Sequence, residues 1–312
     1  MNRNIENIVC VDSVSILLNQ QDIFEKDNLI QEKRELPLHI YLICKSPKIL
    51  LDVKKSSISE DSILLNFYSN VMGQRSDYCF KASNGGQADI AYLECDYPFN
   101  YYKAFLEDGT VFSEGKTHLL MKSLIGVNQY EDVLDLEVLY VGQAFGKDGK
   151  RITFDRLKTH EKAQQIYFDT QNKFPDEEVW FVSVTFEQSF LTVLDPRTYY
   201  KPDQFEDDLA HLGKVQNTPI SFDQQITVLE ACLIRYFNTY KYNKEYLNFP
   251  SKEHKSYKDI YDLDFNGVSF SINTKVVNTK LFSKDVESKF IHSERFFLHN
   301  DTERKEVLKW LK

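Results

Sequence analysis

Long apolar runs, paired cysteines and the common cofactor motifs are all missing from this 312-residue chain. No apolar stretch is long enough to span a bilayer, and residues 1–7 lack the apolar core of a signal peptide, so we expect a cytoplasmic protein that makes no use of a membrane. The five cysteines are scattered and never form a Cys-x-x-Cys pair, which argues against a disulfide framework or a zinc site. Walker, dinucleotide-binding and nucleophile-elbow motifs are also absent.

Positive charge is scarce overall but locally enriched. The formal net charge of −9 opposes indiscriminate binding of polyanions. Lysine and arginine are nevertheless concentrated between residues 147 and 162 and again between residues 235 and 255. Taken alone, such charge runs favour two solvated faces, whereas a local basic face on an acidic protein can also bind nucleic acid.

The first third of the chain has the composition of a β-rich domain. Short segments with many branched and aromatic residues recur between residues 36 and 114 and are separated by turn formers such as Lys45-Ser-Pro47. The more polar residues 1–36 predict short helices or a loosely held arm. We therefore expect a β-rich N-terminal recognition or accessory domain over residues 1–116.

The following region alternates between predicted strands and helices. Residues 117–127 and 134–144 predict the two strands of a hairpin, and residues 178–184 predict a strand covered on both faces. The irregular, proline-containing residues 195–220 precede a helix over residues 221–238. That helix is introduced by Pro219 and by the Ser221-x-x-Gln224 pattern of a capping box.

Five polar residues stand in an order that suits phosphodiester chemistry. Tyr140 begins a Tyr-Val-Gly at the end of an apolar strand. Arg156 and His160 are four residues apart on an expected helix and would project from one face. Glu230 borders the apolar stripe of the 221–238 helix, where a carboxylate costs several kcal/mol unless it is compensated. Asn243 follows that helix.

This order resembles the GIY-YIG nuclease superfamily over roughly residues 117–250. In that family a Tyr-Ile-Gly strand precedes a helix with an arginine, and a later helix carries a metal-binding glutamate before an asparagine. The resemblance implies an α+β fold with a small antiparallel sheet and flanking helices, a nuclease domain over residues 117–250 and a C-terminal extension over residues 251–312. The family's first motif, Gly-Ile-Tyr, is absent from the expected preceding strand, residues 118–126.

The resemblance also implies a role for each candidate residue. Glu230 would bind one Mg²⁺ or Mn²⁺, although a salt bridge to an arginine would explain the same carboxylate. Arg156 would stabilise the charge that grows on phosphorus, Tyr140 and His160 would manage the water and its proton, and Asn243 would brace the site.

A set of neighbouring residues is expected to contact the nucleic-acid backbone. Gly142 would let the substrate backbone approach the end of the strand. Cationic side chains in the following segment would bind phosphates without reading bases, because they lie in or beside a glycine-containing loop. These side chains are Lys147, Lys150, Arg151 and Lys158.

The sequence therefore predicts a divalent-metal-dependent endonuclease whose first candidate substrate is DNA and whose second is RNA. Restriction, repair or defence against mobile elements would be its setting, and the N-terminal domain would recognise a target or a protein partner. The alternative is a catalytically silent module that kept the fold for binding nucleic acid or protein. The missing first motif and the net acidity favour that alternative.

Overall fold

The computed structural model describes residues 5–19, 38–84, 90–125, 132–144, 157, 160–194, 202–300 and 304. The chain divides into two compact units. One, called here the sheet unit, comprises residues 1–44, 137–163 and 180–312, and the other, the inserted unit, comprises residues 45–136 and 164–179. These units do not coincide with the three consecutive domains expected from the sequence, because each unit is made of separate stretches of the chain.

The described residues form fifteen strands and five α-helices. The strands are β1 (Ile5–Asn19), β2 (Ile40–Pro47), β3 (Leu50–Leu51), β4 (Ser57–Ile58), β5 (Ser62–Val71), β6 (Gln74–Ser83), β7 (Tyr92–Glu94), β8 (Tyr101–Phe105), β9 (Val111–Lys116), β10 (Leu136–Gln143), β11 (Glu177–Leu194), β12 (Gly267–Asn273), β13 (Leu281–Ser283), β14 (Val286–Lys289) and β15 (Ile291–Phe297). The helices are α1 (Thr117–Leu124), α2 (Glu161–Lys173), α3 (Pro202–Asn217), α4 (Phe222–Phe237) and α5 (Asp259–Asp262). Short 3₁₀ helices cover Asp132–Leu134, Lys255–Tyr257 and Lys275–Val277.

The sheet unit is built on one eight-stranded sheet with the strand order β14-β13-β10-β2-β11-β1-β12-β15. Strand β1 pairs antiparallel with β11 from Ile5↔Leu194 to Asn19↔Trp180, and it pairs parallel with β12 on its other side. The mixed α+β class is confirmed, whereas the expected small sheet is wrong. The sheet is large because β1 and four C-terminal strands extend the strands β10, β2 and β11.

Strand β1 also corrects the expected helical or loosely held N-terminal arm. Its sequence is rich in branched residues, which fit a pleated, half-buried surface better than a helix. Its one fully buried acid, Glu6, forms a bidentate ion pair with Arg304, with both N–O distances at 2.8 Å. The N-terminal strand is therefore tied to a residue near the other end of the chain.

Two segments expected to be extended or irregular are helical instead. Residues 117–124 form α1, not the first strand of a hairpin, because the buried positions Thr117, His118, Met121 and Lys122 recur at helical spacing. Within the expected irregular excursion, α3 buries Asp208, His211 and Val215 at intervals of three and four residues. For the eight-residue α1, apolar content alone did not distinguish a helix from a strand.

The helix predicted at 221–238 is present as α4, and its sides are buried almost all round. Ser221 occupies the N-cap position but makes no side-chain capping bond, so the predicted capping box is wrong. Gln224 Oε1 instead accepts a hydrogen bond from Asp259 N at 2.8 Å. Asn238 ends the helix in the left-handed conformation that asparagine tolerates, and its N–H donates to Ile234 O.

The inserted unit has its own hydrophobic core. A sheet with the order β3-β5-β4, in which β6 also pairs with β5, and a three-stranded sheet β7-β8-β9 contribute to it together with α1. Its buried members include Phe67, Tyr102, Met121 and Leu134. The β-rich character predicted for residues 36–114 is thus present in this unit.

Candidate active site

Three of the predicted site residues line a single cavity of the sheet unit. Tyr140 on β10, Glu230 on α4 and Asn243 after α4 surround a space of about 180 Å³. The remaining lining side chains are Lys162, Ile234, Tyr242, Lys244, Glu245 and Tyr246. The cavity therefore combines carboxylates, ammonium groups and phenols within a volume suited to a small polar group.

Glu230 reaches this cavity from the middle of a buried helix. The side chains one turn before and after it, Ile226 and Ile234, are 0% and 1% exposed, and Glu230 itself is 7% exposed. A carboxylate in such surroundings needs a cation or hydrogen bonds to offset the loss of hydration. The cavity supplies candidates for that compensation, because Lys162 and Lys244 line it as well.

Asn243 fixes the end of strand β10. Its Nδ2 donates to Val141 O at 2.8 Å and its Oδ1 accepts from Val141 N at 3.0 Å, so the side-chain amide mimics a neighbouring strand. Thr239 Oγ1 donates to the same Oδ1 at 2.8 Å. Because Val141 follows Tyr140 directly, these bonds hold the tyrosine at the cavity. Asn243 thus holds the part of β10 that contains Tyr140.

Tyr140 also belongs to a cluster of three rings. The ring of Tyr41 on β2 lies 6.2 Å from that of Tyr140, and the His160 ring lies 5.6 Å from Tyr140 and 6.0 Å from Tyr41. Tyr41 is fully buried and His160 is 7% exposed. His160 lies directly before α2, which begins at Glu161, and is not itself part of a helix. The expectation that His160 lies on a helix is therefore wrong.

Gly142 lies against two rings of this cluster. A Cβ at this position would lie 2.6 Å from Cζ and Oη of Tyr41 and 2.7 Å from Cε1 of Tyr140. The space beside the glycine is thus filled by two tyrosine side chains, and this internal packing by itself requires a glycine. Contact of Gly142 with a substrate backbone stays a prediction.

Sequence reasoning missed Tyr41, although a signal for it was present. Residues 39–41 read His-Ile-Tyr and share two of three residues with the Gly-Ile-Tyr motif. Strand β2, which contains Tyr41, neighbours β10 in the sheet, and Ala144 N donates to His39 O at 2.8 Å. The motif was sought at residues 118–126 because the two strands were assumed to be close in sequence. Residues 45–136 of the inserted unit stand between the two strands in the chain.

Tyr246 was also missed, and its backbone is unusual. Its φ of 59° lies in the left-handed region, where a non-glycine residue costs about 1–3 kcal/mol. Burial raises the pKa of its hydroxyl, a hydrogen bond with Ser256 Oγ at 3.3 Å opposes that shift, and the nearby Glu230 adds to it. The hydroxyl therefore stays protonated at neutral pH and keeps a proton to donate.

The cationic part of the predicted site lies outside the described residues. This applies to Arg156 and to the expected backbone-binding residues Lys147, Lys150, Arg151 and Lys158. Lys162 and Lys244 were not singled out individually from the sequence, since charge runs do not reveal which lysine faces a cavity. They are the cationic side chains that line the cavity among the residues described.

The donor set of the cavity fits a hard divalent cation. No group of three or more His, Cys, Asp and Glu side chains that could hold a metal is found in the described part of the chain. Mg²⁺ is commonly bound through one or two carboxylates while water and substrate phosphates complete its shell. Glu230 and Glu245 provide such carboxylates in one cavity.

Comparisons with known proteins leave the family open. No family model, no curated protein and no solved structure matches this chain. Among the helices that the structure describes, none is long and apolar enough to cross a membrane.

Proposed function

We propose that the chain is a GIY-YIG-like, divalent-metal-dependent endonuclease that hydrolyses phosphodiester bonds of nucleic acid, with DNA as the first candidate substrate and RNA as the second. The observation that supports it is the convergence of Tyr140, Glu230 and Asn243 on one cavity. These residues are about ninety and thirteen positions apart in the chain, and no property of local structure requires them to meet. Tyr41, next to Tyr140, supplies the tyrosine that the first motif lacked.

Each side chain in or beside the cavity has its own role in the proposed hydrolysis. The half-buried Tyr140 orients the attacking water, and His160, whose ring lies 5.6 Å from that of Tyr140, relays its proton. Arg156 lies outside the described residues, and its contact with the phosphoryl oxygens stays a prediction. Lys162 and Lys244 bind phosphate charge at the cavity, and Asn243 keeps Tyr140 in position through Val141.

Glu230 would hold one Mg²⁺ or Mn²⁺, with Glu245 as the second carboxylate in the same cavity. When bound, the ion polarises a nonbridging phosphate oxygen and offsets the charge of the leaving oxygen. Restriction, repair or defence against mobile elements are the settings in which such an activity is used.

A cleavage assay tests the proposal. Plasmid, linear duplex and single-stranded substrates are incubated with the full chain and Mg²⁺ or Mn²⁺, and Glu230→Gln is compared with Glu253→Gln, an exposed carboxylate that does not line the cavity. We expect cleavage to fall at least about 100-fold in Glu230→Gln and to be unchanged in Glu253→Gln. Thermal stabilisation by Mn²⁺ should disappear in Glu230→Gln alone.

Two results would contradict the proposal. Wild-type protein that cleaves none of the substrates and gains no stability from either metal would favour the silent binding module. Cleavage that persists in Glu230→Gln would place the chemistry elsewhere. Circular dichroism of Glu230→Gln controls for loss of folding.

A further inference from the structure

The inserted unit contains a second and larger recess. A cleft of about 660 Å³ is lined by residues of β3, β5 and β7 and by the segment that follows β7. Its size is typical of clefts that take a ligand or an anchoring side chain. The lining combines buried apolar groups, such as Leu51 and Cys95, with the rings of Tyr68 and Phe99. The cleft thus has an apolar floor and aromatic walls.

The charge of this lining is mainly negative. Asp52, Glu94 and Asp96 line the cleft together with Lys54, which leaves an excess of two negative charges. Asp52 is already paired with Arg75, at 3.0 Å. Glu94 and Asp96 form no ion pair within the part of the chain that the structure describes. Two exposed carboxylates therefore remain at the cleft to bind a cation.

The chain itself shows how this lining binds a cationic side chain. The guanidinium of Arg75 lies 3.9 Å from the centre of the Tyr68 ring, while its Nη2 donates to Asp52 Oδ2 at 3.0 Å. An aromatic face and a carboxylate thus act together on one cation, and both are lining groups of the cleft. Phe99 with Glu94 and Asp96 offers the same combination.

The segment between β7 and β8 presents rings at the rim of the cleft. Tyr97 is 86% exposed and its ring packs edge-on against that of Phe99, 6.0 Å away. The backbone holds Phe99 with a φ of 66°, and its N–H and C=O are bonded to Asp96 O and Leu51 N. Exposed tyrosine and phenylalanine side chains beside a recess are typical of surfaces that bind protein.

We propose that this cleft binds an exposed arginine- or lysine-containing segment of a partner protein. One cationic side chain enters between Phe99 and the carboxylates of Glu94 and Asp96, and Tyr97 packs on the neighbouring residues of the segment. The carboxylates repel a nucleic-acid backbone, so this surface is distinct from the proposed nuclease cavity in the charge of the partner that it selects. It makes the inserted unit a recognition module.

Fluorescence anisotropy with fluorescein-labelled nona-arginine tests this proposal on the full chain. The double variant Glu94→Gln/Asp96→Asn is compared with Glu60→Gln/Glu107→Gln, which removes two exposed carboxylates of the same unit that do not line the cleft. Both variants change the net charge equally. We expect the affinity to fall at least tenfold in the first and less than twofold in the second. Tyr97→Ala, at a highly exposed position, should weaken binding about threefold.

Several outcomes would overturn the proposal. Equal weakening in the two double variants would show that the peptide responds to net charge alone. Absence of binding by the wild-type chain would exclude a basic segment as the occupant. Full displacement of the peptide by millimolar L-arginine amide would indicate a site for a single small cation. Binding of a dT20 oligonucleotide that is lost in Glu94→Gln/Asp96→Asn would assign the cleft to nucleic acid.

Discussion

The two recesses of this chain differ in size, burial and charge. The cavity of the sheet unit is small, and its central carboxylate, Glu230, is nearly withdrawn from water among apolar neighbours. The cleft of the inserted unit is more than three times larger, and its carboxylates Glu94 and Asp96 are exposed. A buried charge must be compensated within the protein or by what binds there, whereas an exposed charge is already hydrated.

The proposed division between a catalytic cavity and a binding cleft follows from this difference. Electrostatic effects on a reacting group are strong where water is excluded, which favours the small cavity for the proposed hydrolysis. Exposed charges beside aromatic rings give selectivity and faster association, which favours the larger cleft for the proposed binding. Variants in each unit test this division, since changes in the sheet unit should affect catalysis and those in the inserted unit should not.

The largest effect is expected from the tyrosine hydroxyls of the sheet unit. Tyr140→Phe removes the hydroxyl that we propose orients water and should lower the cleavage rate at least about 100-fold. Tyr41→Phe removes only the hydroxyl of the neighbouring ring and should lower the rate about tenfold. Tyr102→Phe, which removes a hydroxyl bonded to Ser113 in the inserted unit, is the matched control and should cleave normally. Equal rates in all three variants would contradict a catalytic role for Tyr140.

Asn243→Ala should cause the largest loss of stability. It removes three hydrogen bonds and leaves the N–H and C=O of Val141 without their side-chain partner, for a cost of about 3 kcal/mol. Chemical denaturation measures this difference in the free energy of unfolding. Asn248→Ala, at an exposed position of the same loop, should cost less than about 1 kcal/mol. A similar cost for both variants would show that the Val141 contacts contribute little.

Gly142→Ala tests the packing of the two tyrosines. Its Cβ would overlap Tyr41 and Tyr140, so we expect a destabilisation of about 1–3 kcal/mol in thermal unfolding. Gly213→Ala on α3 meets nothing within 4 Å and should instead stabilise the protein by about 0.5–1 kcal/mol. If Gly142→Ala costs as much in a Tyr41→Ala background as in the wild type, the overlap is not its cause.

A pH dependence of stability is expected in the inserted unit. Burial lowers the pKa of Lys122 on α1 from 10.5 to about 7, and Asp135 opposes this shift. Between about pH 7 and 10 the unfolded chain binds the proton that the folded chain has lost, so stability should rise with pH by up to about 1.4 kcal/mol per pH unit.

Lys122→Met should lack this contribution, and the difference in unfolding free energy between wild type and variant, followed from pH 6 to pH 10, reports it. Below about pH 7 both states of the wild type are protonated and the difference should be constant. Cleavage by Lys122→Met at neutral pH should equal that of the wild type. A difference that does not vary with pH would show that Lys122 is charged in the folded protein throughout this range.

Strong local patterns predicted several elements correctly. The continuous apolar run of residues 178–184 indicated β11, and the repeated apolar positions after Ser221 indicated α4. Short segments were harder, because eight residues from Thr117 contain too few turns to distinguish a helix from a strand. The strand β1 was missed since its polar positions are buried against partners far along the chain, such as Glu6 against Arg304.

The sequence supplies the chemical groups and their order: Tyr140, Glu230 and Asn243 could be selected because their residue types suit one reaction. Which of these groups meet depends on the tertiary structure. Strand β2 brings Tyr41 beside Tyr140 although residues 45–136 separate β2 from β10 in the chain, and Asn243, which follows α4, bonds to Val141. Such contacts depend on strand order and long-range packing, which local propensity does not encode, because they form between residues distant in the chain.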